Sequence, residues 1–164
     1  MTDKNDRLAL VEKIKKAFAD VAYPGDDRIV RSSEGLDYKE LQSAFKGKHW
    51  SELSLATLLA QRDGLPLLSQ EGFHFYLPAY LCVALLQPLS VVDVLPENVI
   101  FRLSPPEEGP SRKRFEQILA GFSAAQKQCI RDFVQDYYAD LAPNELIDSD
   151  RRAKQFWADR PANQ

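Results

Sequence analysis

The stretch Glu71-Gly72-Phe73-His74-Phe75-Tyr76-Leu77-Pro78-Ala79-Tyr80-Leu81 sets four aromatics, a histidine and a proline in a run that stays largely apolar to Leu89. Wound as a helix over residues 70–87, it puts Phe73, Tyr76, Leu77, Tyr80, Leu81 and Ala84 on one side. Phe75, Cys82 and Leu86 fall on the other. A helix that is apolar all round is a buried one, so this segment is expected at the centre of the fold, with Ser69 as its cap. Pro78 deletes the amide that would bond the His74 carbonyl, and its ring presses on that carbonyl, which predicts a kink or a break at Leu77. Interrupted by His74, Pro78, Gln87 and Pro88, the run falls short of the roughly 20 clean apolar residues of a membrane span.

Helical patterns flank this centre on both sides. Leu8, Val11, Ile14, Phe18 and Val21 recur at three- and four-residue spacing until "YPGDD" (Tyr23 to Asp27) stops the helix. "RIVRS" reads as a short extended piece. Asp37 and Glu40 have the spacing of a capping box ahead of Leu41, Ala44 and Phe45, and Gly47 ends that helix. "HWSELSLATLLAQRDG" is another short helix, capped by Ser51 or Ser54, with Gly64 beyond its end in a left-handed turn. Val99, Phe101 and Leu103 alternate with Ile100, Arg102 and Ser104, the period of a short strand. "PPEEGPSRK" is an exposed loop near residues 104–112. After it, Phe115, Ile118, Leu119 and Phe122 form a stripe, and Ser123 with Gln126 repeats the capping-box spacing. The helix it opens aligns Ile130, Phe133, Val134, Tyr137 and Leu141 and closes at Pro143. A last helix around Asp150 to Trp157 docks through Phe156 and Trp157, followed by a tail, within residues 149–164. The expected fold is mainly α, a single compact multi-helix domain over residues 1–164 around a buried Pro-kinked helix, with at most a short β element.

At 164 residues and 45% hydrophobic, the chain can bury one core. A formal net charge of −3 gives no basic face for nucleic acid. The charged start "MTDKNDRLAL" lacks the succession of a signal peptide, so a cytoplasmic protein off the membrane is expected. Cys82 and Cys129 lie far apart in apolar patterns and read as reduced, buried thiols rather than as a metal knuckle or a disulfide.

"YPGDD", "FKGKHW", "FHFYLPAYL", "VIFRLSP" and "FSAAQKQCIRDFV" follow one another in an order that resembles an uncharacterised bacterial family, a domain of unknown function marked by an aromatic pair, Leu-Pro-Ala and another aromatic, here FYLPAY. The resemblance spans residues 14–141 and leaves out "DRRAKQFWADRPANQ". It implies a family and carries over no activity, cofactor or site residue. Small bacterial families of this kind include toxin-neutralising and protein-binding modules.

Chemistry-bearing residues are sparse. His74, with Glu71 one helical turn before it and His49 further off, would be the donor set of a small metal-dependent hydrolase. The spacing has no HExxH-type pattern, which favours a core histidine. Lys46, Lys48, His49 and Trp50 form a basic-aromatic cluster in which Trp50 reads as a core anchor and the lysines as solvated. Asp132, Asp136 and Asp140 recur every four residues beside the apolar stripe of the long helix, either as a solvated face or as a surface for a basic protein partner such as a toxin domain. The expected function is a non-enzymatic protein-binding module, most concretely a bacterial immunity protein that neutralises a toxin and uses no cofactor. A metal-dependent hydrolase using His74, His49 and Glu71, and a small-molecule sensor walled by the aromatic motif, are the alternatives.

Overall fold

The computed structural model describes residues 3–159, which fold into helices α1 (Lys4–Ala17), α2 (Leu36–Phe45), α3 (Leu55–Ala60), α4 (Gln70–Leu86), α5 (Leu89–Val92), α6 (Leu95–Leu103), α7 (Pro110–Ala120), α8 (Ala124–Tyr138) and α9 (Asp148–Ala158). The mainly α expectation holds. Among the described residues the β structure is one isolated antiparallel bridge, Val30 with Leu68, which takes up the extended piece read at "RIVRS". The chain divides into two compact units, one built from the segments up to Ala17 and from Ile100 onward, the other from Phe18–Val99. Among the described residues no helix is long and apolar enough to cross a membrane.

In the Phe18–Val99 unit, α4 is the buried centre. Phe73, Phe75, Tyr76, Leu77, Tyr80 and Leu81 are all sealed from solvent. Ser69 caps the helix by accepting the Gly72 amide at 2.8 Å. The helix runs through Pro78 without a break. The start of α4 is pinned to the segment before α2: the Ser69 amide donates to the Ile29 carbonyl at 3.0 Å, the Ser69 hydroxyl donates to the Arg28 carbonyl, and the Arg31 amide donates to the Leu67 carbonyl at 3.0 Å. Gly72 lies against that same Ile29 carbonyl, leaving no room for a Cβ.

The other unit packs α1 on α8 and α8 on α9. The Ser123–Gln126 capping box forms as the spacing predicts, and the buried Gln126 also donates to the Ala17 carbonyl at 3.0 Å, tying the end of α1 to the start of α8. Helix α9 is anchored at both ends. Asp150 accepts the Tyr138 hydroxyl at 2.9 Å and the Ile147 amide at 3.0 Å, while Trp157 donates its indole N–H to the Leu103 carbonyl at 2.9 Å.

Several expectations need correction. Residues 99–104 are not a strand, because Leu95, Val99, Ile100 and Leu103 are buried at helical spacing and Phe101 points outward at 75% exposure. A run that short satisfies both periods. Helix α2 is entered from Gly35 at φ 101° with no side-chain cap, so Asp37 sits inside the first turn, where its charge favours the helix dipole, and no capping box forms. Gly64 has φ −78° rather than a left-handed conformation, and its small size admits Leu41, whose Cδ1 a Cβ would meet at 2.9 Å. Helix α8 ends at Tyr138, well before Pro143, because the Ala139 amide turns back three residues to the Asp136 carbonyl. Leu141 is consequently exposed and Tyr137 half-buried. Helix α1 buries Leu10, Val11 and Ile14 and leaves Leu8 exposed, and Cys82 is half-buried while Cys129 is enclosed.

Candidate functional site

Three of the sequence motifs meet around Tyr76. Its ring lies 4.6 Å from that of Phe45 and 4.9 Å from that of Phe75, and its hydroxyl bridges the carbonyls of Phe45 (3.0 Å) and Lys48 (2.9 Å). Tyr23 of "YPGDD" closes the same knot from outside: its hydroxyl accepts the Gly47 amide at 2.8 Å and donates to Asp26, and its ring meets Phe75 edge-on. Tyr80 spends its hydroxyl on the Gln61 carbonyl at 2.7 Å. These tyrosines fill space and satisfy backbone carbonyls, so the aromatic motif belongs to the core. Removing the hydroxyl in Tyr76→Phe leaves the Lys48 carbonyl without that donor and is expected to cost about 1–3 kcal/mol in urea unfolding. A loss under about 0.5 kcal/mol would place the bond outside the stability of the unit.

The metal alternative does not assemble. His49 caps a short 3₁₀ turn (Trp50–Glu52): its Nδ1 accepts the Ser51 amide at 3.2 Å and lies 2.7 Å from the Ser51 hydroxyl, and its own amide donates to Glu52 at 2.8 Å. That contact already occupies Nδ1. The His49 ring meets Phe75 edge-on, whereas His74 meets Phe18 edge-on, and Glu71 is exposed on the first turn of α4. Among the described residues no group of three or more His, Cys, Asp or Glu side chains is placed to hold a metal ion. Trp50 is buried, as its reading as an anchor required, and Lys46 lies 3.8 Å from Asp26.

The three carboxylates of the acidic row do not share one setting. Asp132 and Asp136 lie on α8 and, with Gln135, form one wall of an open groove of about 340 Å³; Asp6, Ala9, Leu10 and Lys13 of α1 form the other. Asp140 lies past the end of α8 and is not among the lining residues. Arg7 Nε binds both oxygens of Asp136, at 3.2 and 3.0 Å, and the Asp136 side chain is only 9% exposed. Asp132 accepts the Gln128 amide group at 2.7 Å and has Lys13 at 3.9 Å, a looser pair with more solvent around it. Burial pushes the Cys129 thiol, one turn below, up to about 11, with Asp132 adding to the rise and Lys13 opposing it. Carboxylates at 132 and 136 were legible as a periodic row. Their partners Arg7 and Lys13, and the facing Asp6, were not, because they lie more than a hundred residues away along the chain.

Chemically, the groove can receive a cation. Its wide mouth and loosely held Lys13 allow an incoming guanidinium or ammonium to take the place of the resident charge at Asp132, with Asp6 facing it. No curated protein and no solved structure matches the chain. A family profile matches residues 6–161, past the point where the order of motifs stops and through the α9 segment it omits. The chain therefore belongs to the family of unknown function DUF6714.

Proposed function

We propose that this is a non-enzymatic, cytoplasmic protein-binding module of bacterial origin, and most concretely an immunity protein that neutralises a toxin by taking a basic segment into the α1–α8 groove. The observation that supports the reading is the groove itself: carboxylates on both walls, Ala9 and Leu10 beside Asp6 on the α1 wall, and a single loosely paired lysine at Asp132. Partly desolvated carboxylates of this kind steer a basic partner and raise its association rate more than its affinity.

Because Asp136 is enclosed against Arg7, reversing its charge would destabilise the helix pair, so the test removes charge only at Asp6 and Asp132. Immobilised wild type is expected to capture a basic protein from a lysate of the native host, and this chain is expected to restore growth to cells that express the captured protein. The Asp6→Asn/Asp132→Asn variant should associate about three- to tenfold more slowly at low salt and at the same rate at high salt. Equal rates at both salt concentrations, or no restoration of growth, would overturn the proposal.

A further inference from the structure

A second surface, in the Phe18–Val99 unit, carries an inference that does not depend on the groove. Where α4 leaves the core, Leu85 is the last sealed residue and Leu86 is 45% exposed. Pro88 then turns the chain into α5, which buries Val92 completely but holds Leu89 at 71% and Val91 at 41% exposure. The turn is stiff: the Gln87 amide donates to the Val83 carbonyl at 3.0 Å, Val91 and Val92 to that of Pro88 at 2.8 and 3.1 Å, and Asp93 to that of Leu89 at 2.8 Å. Exposed leucines held in a fixed backbone present an apolar ridge whose covering by a partner is favourable and costs little ordering entropy.

The rim of the ridge decides what covers it. Asp93 follows Leu89 by one turn and pairs with Arg62 at 3.3 Å. Arg62 is 4.0 Å from Asp63, which accepts the Asn98 amide group at 2.7 Å, and Glu97 is exposed on the first turn of α6. Asp63 and Asp93 thus share one guanidinium. We propose that Leu86, Leu89 and Val91 form a docking ridge for an amphipathic helix of a partner protein whose apolar face is flanked by lysine or arginine. Apolar anchors at helical spacing would cover the leucines, and the flanking cations would meet Asp63, Asp93 and Glu97. A second copy of this chain would bring the same acidic rim against itself, and an anionic membrane surface would repel it.

The probe is a fluorescent amphipathic helix of leucine and lysine, with a leucine–glutamate helix of the same pattern as its counterpart, titrated with the full chain and read by anisotropy. Wild type is expected to bind the lysine helix and not the glutamate helix. Leu89→Glu, at an exposed position where folding is undisturbed by circular dichroism, should weaken binding about tenfold or more. Asp63→Asn/Asp93→Asn/Glu97→Gln should weaken it about three- to tenfold at low salt and flatten its salt dependence, asparagine being tolerant of the φ of 52° at position 93. Asp6→Asn/Asp132→Asn should leave it unchanged, which separates this ridge from the groove. Unchanged affinity in Leu89→Glu, equal binding of both helices, self-association that Leu89→Glu abolishes, or Leu89-dependent binding to anionic vesicles would each overturn the proposal.

Discussion

Replacing Gly72 by alanine is expected to lower the stability of the Phe18–Val99 unit by about 3 kcal/mol or more in urea unfolding, one of the two largest effects foreseen for this chain. A Cβ built at Gly72 would lie 2.1 Å from the Ile29 carbonyl oxygen, 3.0 Å from its carbon and 3.2 Å from Ser69 Oγ. The first contact is with backbone, so no side-chain rotation relieves it. Moving residues 28–31 away would stretch the bonds that Ser69 makes to Arg28 and Ile29 and that Arg31 makes to Leu67, and would open the bridge of Val30 with Leu68. Gly109→Ala, in the other unit, isolates the backbone cost: it has φ 83° with ψ −158°, a conformation essentially reserved for glycine, and nothing within 4 Å, so it carries only a strain of about 1–3 kcal/mol. If the two variants lost the same stability, the close approach of α4 to Ile29 would contribute nothing.

How far the sequence could be read depended on whether the signal was local. The all-round apolar face of residues 73–85 found its place at the centre, and Ser54, Ser69 and Ser123 cap their helices, because a cap and a helical face are decided within a few residues. The segment around Phe101 departs from the strand reading because six alternating residues fit two periods at once. Leu95, whose burial settles the helix, lay just outside the alternating run. The groove was half legible. Asp132 and Asp136 stand out as a row on α8, but their pairing with Arg7 and Lys13, the loss of Asp140 past the helix end and the facing Asp6 all follow from how α1 packs on α8. Gly72 shows the same limit from the side of packing, since a glycine required by a neighbouring carbonyl looks like any other glycine in a single sequence.

The second large effect is expected at alkaline pH. Burial raises the hydroxyls of Tyr76, Tyr80 and Tyr138 above the ordinary value, helped by Tyr23 at Tyr76, by Asp63 at Tyr80 and by the bond to Asp150 at Tyr138. Burial likewise lifts Cys129 to about 11. In each case the folded chain holds its proton more tightly than the unfolded chain, so the stability these groups contribute is complete below the unfolded pKa and is lost as pH rises. For Cys129 the loss starts near pH 9, and for the tyrosines near pH 10, each at about 1.4 kcal/mol per pH unit. Between roughly pH 10 and 11, Tyr76 and Tyr80 together remove about 2 kcal/mol from the Phe18–Val99 unit, and Cys129 and Tyr138 about 2 kcal/mol from the other unit. Phenolate absorbance from Tyr76 and Tyr80 should therefore appear in step with the unfolding of the Phe18–Val99 unit, and that from Tyr138 in step with the unfolding of the unit that holds it, each followed by far-ultraviolet circular dichroism. Tyr138→Phe, which removes one of the groups, should make the fall in unfolding free energy of its unit shallower by about 1 kcal/mol over the same window, even though the variant starts less stable for want of the Asp150 bond. Ionisation of all six tyrosines near pH 10 with the helical signal intact would show that the hydroxyls of Tyr76, Tyr80 and Tyr138 are not held by the fold.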